Sequence, residues 1–306
     1  MIGLAKRLSD RITAGFATLG PEWLPFADAG SKELPMARLV RLSLFQLSVG
    51  MAVVLLIGTL NRVMIVELGI PASVVATMIA MPLLFAPARA LIGFRSDEHK
   101  SYLGLRRLPY FAFGTMMQFG GFAIMPMALI LLSGDRTLGP EWAGTASAAL
   151  AFLLVGAGVH TTQTAGLALA TDLAPKHLRP KVVAFLCAMM LVGMFISALV
   201  FGLVLREFNP IRLIQVVQGA ALATLVINSI AIWQQEPRNS QRTRHDRVRP
   251  AFDETWQAYV ARPLNRRRLV ALALGTAAFS MQDVLLEPFG GQVLGHGEPC
   301  RAQRHH

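Results

Sequence analysis

Residues 182–205 read VVAFLCAMMLVGMFISALVFGLVL, with no Asp, Glu, Lys or Arg between Lys181 and Arg206. About 20 such residues, rising 1.5 Å each as a helix, cross a hydrocarbon core of roughly 30 Å. A soluble helix of this length would need a polar face for water, and this stretch has none. In lipid its backbone groups must bond within the segment, which makes it a helix.

Working outward, runs of the same kind occupy 42–65, 72–94, 108–132, 143–170 and 213–233. Pro71 opens the second run, and the Pro175 region ends the fourth. A seventh run starts near Leu269 and extends to 294. The predicted fold is all-α, a polytopic membrane protein. The divisions are a cytoplasmic N-terminal extension (1–38), a six-helix transmembrane bundle (39–233) and a basic cytoplasmic loop (234–268). A partial seventh transmembrane helix (269–294) and an atypical tail (295–306) follow. The composition agrees: 54% of residues are hydrophobic and 15% charged, where a soluble domain carries about 25% charged residues. Ile2, Leu4, Leu8, Ile12, Phe16 and Leu19 recur at roughly helical spacing beside Lys6, Arg7 and Arg11. They predict either a helix lying on the membrane surface or a solvated extension.

The net charge of +11 would suit nucleic acid were the basic residues not confined to the ends of apolar runs. Taking alternate ends, 22 Lys and Arg residues fall on one side and four on the other, Arg62, Arg136, Arg206 and Arg212. The positive-inside rule therefore places the N-terminus and the long loop in the cytoplasm, and no nucleic-acid partner is expected. No secretory leader is expected either. Cys187 and Cys300 suggest neither a disulfide framework nor a metal site. Without a nucleophile elbow, phosphate loop, zinc spacing or paired catalytic carboxylates, an enzyme is not expected.

Ionisable and polar groups inside spans are costly and so are candidates for function. His160, Gln163, Thr164 and Thr171 share one face of the fourth run. They either line a cavity or hydrogen-bond a neighbouring helix. A neutral imidazole is also able to ligate the magnesium of a chlorin. In the seventh run Ser280, Asp283 and Glu287 share a face, with Gln282 off it. The two carboxylates suit proton carriage or contact with a polar substrate, or else pair with Arg62 or Arg89. Asn61, Arg62 and Glu67 lie near the outer end of the first run. Arg62 and Arg89 are expected to snorkel to the interfaces.

Six helices, a long basic loop and a further helix resemble a major facilitator half followed by the start of its second half. Gly93 and Asp97 keep the spacing of that superfamily's conformational loop, with Arg106 and Arg107 following late. Three stretches carry a closer resemblance: TLNRVMIVEL (59–68), HTTQTAGLALATD (160–172) and MQDVLLEPFGG (281–291). Arg95-Ser96-Asp97 and Arg106-Arg107-Leu108-Pro109-Tyr110 fit as well. Over about residues 36–295 the chain resembles the PucC/LhaA family, the bacteriochlorophyll-delivery branch of the major facilitator superfamily.

That resemblance implies an assembly factor for light-harvesting antenna complexes, working in the intracytoplasmic photosynthetic membrane of a phototrophic bacterium. Bacteriochlorophyll would be its cargo; the lipid bilayer and antenna polypeptides would be its partners. The pigment- or substrate-binding candidates are Asn61, Arg62, His160, Gln163, Thr164, Gln282, Asp283 and Glu287. A proton-coupled secondary transporter of a small solute is the competing expectation, resting on Asp283 and Glu287. The family has twelve helices, whereas the residues from Gly295 to His306 lose apolar character. They are read as an out-of-frame or truncated end, and His305-His306 as no metal site.

Overall fold

The computed structural model describes residues 29–31, 34–133, 140–238, 243 and 251–292, with residues 141 and 279–292 as backbone only. The expected surface helix near the N-terminus and the tail lie outside the described residues. The described residues form helices and connecting turns, with no strand among them. Among the described residues, six helices are long and apolar enough to cross a membrane: Met36–Glu67, Ala72–Asp97, Leu108–Leu132, Glu141–Leu173, Arg179–Val204 and Pro210–Ile232. They are called the first to sixth spans below.

Proline sets the start of every span. Pro35, Pro71 and Pro140 immediately precede three of them, and Pro109, Pro180 and Pro210 occupy the opening positions of the others. The first N–H groups of a helix have no partner inside it, so a residue without an N–H loses nothing there. Asn209 completes the sixth start, its side chain accepting from the Ile211 N–H at 2.8 Å.

Two spans are irregular. The first is α-helical to Val53 and then widens into π-helical turns at Val54–Thr59 and Val63–Glu67, separated by Leu60–Arg62. The second is interrupted: Ala72–Leu84 stops, and Ala88–Asp97 restarts after a turn at 85–87. Pro82 and Pro87 each remove a helical N–H, which is the ordinary cause of such a break.

The third and fourth spans pack together most extensively. The first span packs on the fifth and sixth, the fourth on the second and third, and the first and fourth meet. Exchanging spans one to three for spans four to six carries this pattern onto itself. That is the pairing expected of two three-helix repeats within a major facilitator half. Small residues permit the tightest approaches, as is usual between membrane helices. A Cβ on Gly158 would lie 2.5 Å from the Gln118 nitrogen on the third span. One on Gly193 would lie 2.6 Å from the Leu47 Cα on the first.

A buried polar junction joins three spans. The Ser48 hydroxyl donates to Asn228 Oδ1 at 2.6 Å, and Asn228 Nδ2 donates to the Thr115 hydroxyl at 3.1 Å. All three residues are buried. Satisfied bonds of this kind fix helix register where water is absent.

A second compact unit begins at Val248. It holds a short helix, Phe252–Val260, and a long one, Pro263–Gln292. The long helix includes the stretch expected to start a seventh span near Leu269. It begins at Pro263 and takes Arg266, Arg267 and Arg268 into its first turns, because Pro263 pre-sets the helical φ and arginine is a good helix former.

Candidate functional site

Two groups of polar side chains stand out, one inside the bundle and one at the end that carries the basic loops. The first is built on the fourth span. Thr161, Thr162, Ala165 and Gly166 face inward, while His160, Gln163 and Thr164 are half-buried on the other side. Pro82 presses on Gly156, where a Cβ would meet the proline Cγ at 2.6 Å. This close approach brings the second span against that half-buried face.

The turn at 85–87 restarts the second span, and Arg89 follows within its first turn. The Arg89 Nε donates to the Thr164 hydroxyl and its Nη2 to Gln163 Oε1, both at 3.2 Å. The Thr164 hydroxyl in turn donates to the His160 carbonyl at 2.7 Å. Gln163 Nε2 reaches the Met190 sulfur of the fifth span at 3.7 Å. Arg89 and the Pro82 carbonyl both border the His160 ring, whose Nδ1 is buried without a hydrogen-bond partner. No carboxylate pairs with Arg89 among the described residues. Arg89 thus departs from the expected snorkelling: hydrogen bonds turn it sideways onto the fourth span.

The second group is a charge cluster. Arg107 is 4% exposed and pairs with Asp97 and with Asp172, the latter at 3.1 Å. Its Nη1 also donates to the Ser96 hydroxyl at 2.7 Å. Arg106 pairs with Asp172 at 2.7 Å. The Glu236 carboxylate accepts from the N–H groups of Arg106, Arg107 and Leu108, at 2.7, 2.8 and 2.7 Å. Those are the unpaired donors at the start of the third span, where a negative charge also meets the positive end of the helix dipole. Gly93 lies one turn before Asp97, its carbonyl accepting from Ser96 at 2.9 Å. The second and fourth spans run side by side in register. Arg89 meets Thr164, and Asp97 and Asp172, each eight positions further on, meet the same arginine.

The candidates whose side chains are described fall into separate groups. His160, Gln163 and Thr164 come together with Arg89; Asp97, Arg106 and Arg107 come together with Asp172 and Glu236. Asn61 and Arg62 sit between the two π-helical turns, and no hydrogen bond or ion pair joins them to His160 among the described residues. Arg62 lines a separate cavity of about 490 Å³ with Glu67, Phe201 and Arg206. Gln282, Asp283 and Glu287 fall on the helix Pro263–Gln292, but their side chains lie outside the description. Sequence reasoning missed Asp172 and Glu236 as partners of the basic pair. The repeated eight-residue interval was the available signal for Asp172; Glu236, past the sixth span, left none.

The family described as PUCC protein matches residues 59–297. The chain belongs to the PucC family. It is 59% identical to Protein PucC of Rhodovulum sulfidophilum, covering 94% of this chain and 65% of that protein. It is 58% identical to Protein PucC of Rhodobacter capsulatus, covering 90% of this chain and 60% of that protein. A more distant relative is the Bacteriochlorophyll synthase 44.5 kDa chain of Rhodobacter capsulatus, 28% identical over 84% of this chain and 58% of that protein. The chain thus spans about 60% of the length of these PucC-family relatives. No solved structure matches it. Both groups of side chains fall inside the matched region.

Proposed function

We propose that this protein is a non-enzymatic assembly factor for light-harvesting antenna complexes and handles bacteriochlorophyll as cargo. One observation carries the reading: relatedness to PucC proteins extends over 90% or more of the chain. It is supported by the name of the 28% identical relative, a Bacteriochlorophyll synthase chain. The protein would work in the photosynthetic inner membrane with the N-terminus and the basic end of the bundle in the cytoplasm. Antenna polypeptides would be its protein partners.

The half-buried face of the fourth span is the part of the described bundle best suited to such cargo. It combines neutral donors and acceptors on Gln163 and Thr164 with apolar Leu167 and Met190. Apolar walls with few polar groups are the usual make-up of a site for a large ligand. As placed, His160 presents no free nitrogen, since Nδ1 is covered and the Pro82 carbonyl borders the ring. Axial ligation of a chlorin magnesium would require the imidazole to rotate. Gln163 and Thr164 face the same space and are held by Arg89.

The test is purification in mild detergent from a pigment-producing host. Bacteriochlorophyll absorbance that co-elutes with the wild-type protein, and falls at least threefold in Gln163→Leu, would support the reading. A pigment-free wild-type protein that also retains no antenna polypeptide would refute it.

A further inference from the structure

The search leads to Arg89. It lies about 12 Å along the helix from Asp97, taking 1.5 Å for each of the eight intervening steps, and so sits within the span. A guanidinium is always charged, and a charge at that depth is retained at substantial cost. Its partners are the neutral Thr164 hydroxyl and Gln163 amide. No carboxylate answers the charge among the described residues.

The donor count is equally one-sided. A guanidinium carries five N–H donors, and two are engaged. Nη1 has no hydrogen-bond partner and is not among the enclosed, unpartnered atoms. Thr164 and Gln163 hold the group from one side and leave its remaining fork free. Such a fork matches the two oxygens of a carboxylate and binds them in parallel. Leu167 and Met190, beside this face, are apolar and half-buried.

We propose that Arg89, oriented by Gln163 and Thr164, is a recognition site for the carboxylate of an acidic amphiphile that enters the bundle from the membrane. The charged end pairs with the guanidinium while the apolar body lies along the fourth and fifth spans. This goes beyond the antenna reading and does not require the ligand to be a pigment.

The experiment uses the whole chain in dodecyl maltoside at pH 8.5 and a pyrene-labelled sixteen-carbon fatty acid, compared with its methyl ester. The two probes share an apolar body and differ in charge. Fluorescence titration should give acid binding at least tenfold tighter than ester binding. Arg89→Gln should reduce the preference below twofold, and Arg89→Lys, which keeps the charge but loses the fork, should retain part of it. Equal binding of acid and ester to the wild-type chain overturns the proposal without any variant. A preference that survives Arg89→Gln in protein of unchanged unfolding temperature overturns it too. Because neither probe is a pigment, failure here leaves the antenna reading standing, and failure of that reading leaves this one standing.

Discussion

Arg107 lies 3.1 Å from the Asp172 carboxylate while its own side chain is almost fully enclosed. This pair ties the loop before the third span to the end of the fourth. Removing one partner of an enclosed charge costs more than the pair contributes, because the survivor is stranded. Asp97 remains to compensate, and Asp172 is itself 35% exposed. Asp172→Asn should therefore cost only roughly 1–2 kcal/mol, and Arg107→Ala more. Thermal unfolding in detergent of both single variants and the double variant tests this. The double variant should be less damaged than the sum of the singles.

Glu236 gathers three backbone N–H groups at the start of the third span. Glu236→Gln keeps the size but gives up the charge, and one amide oxygen must replace two carboxylate oxygens. The expected loss is about 1 kcal/mol, seen as a lower unfolding temperature. Amide exchange of Arg106 and Arg107 should accelerate, reporting the same opening locally.

Glycine substitutions separate packing from helix propensity. In an ordinary helix Gly→Ala stabilises by about 1 kcal/mol. Gly120 has open space around its missing Cβ, so Gly120→Ala should be neutral or stabilising. At Gly158 a methyl group would press on the third-span backbone. Gly158→Ala should destabilise by roughly 1–3 kcal/mol. Opposite signs for the same chemical change, measured by unfolding in mixed detergent, would confirm the third-to-fourth span contact.

Asn228 holds Ser48 and Thr115 on two other spans. Hydrogen bonds between membrane helices average about 0.6 kcal/mol each. Asn228→Leu removes two of them and leaves two hydroxyls to turn to their own helices. Thr115 already donates to the Phe111 carbonyl, and the Ser48 hydroxyl, released from Asn228, has the Phe45 carbonyl 2.8 Å away as its acceptor. A loss of roughly 1–2 kcal/mol in unfolding free energy is expected, and a much larger one would show that the junction sets the helix register.

The six spans were legible in the sequence because lipid demands long uncharged runs. The third run, 108–132, has the same bounds in the structure. The others extend two to six residues past one or both expected ends, and the fifth and sixth also close one residue early, at Val204 and Ile232. Their ends follow prolines and capping groups, as at Pro35 and Pro210, more than the limits of hydrophobicity. The facilitator-like loop was readable from Gly93, Asp97 and the late basic pair, but its counter-charges were not. Asp172 and Glu236 come from 65 to 130 positions away, and sequence order does not state which loops meet. The polar face of His160, Gln163 and Thr164 followed from helical spacing. Arg89 was expected to snorkel, whereas in the structure it bonds to Thr164 and Gln163 of the fourth span. The π-helical turns around Asn61 had no signal in composition or period.

The central claim is tested most directly in a purple phototrophic bacterium that depends on its own PucC protein. That gene is deleted and replaced by this chain or by no insert, and the near-infrared antenna absorbance of isolated membranes is measured against the reaction-centre signal. The account predicts that deletion abolishes or strongly reduces the antenna bands, that this chain restores at least part of them, and that Gln163→Leu reduces the restoration. Normal antenna bands in the deletion strain, or restoration equal to wild type by the Gln163→Leu variant with no pigment bound to either protein, would contradict it.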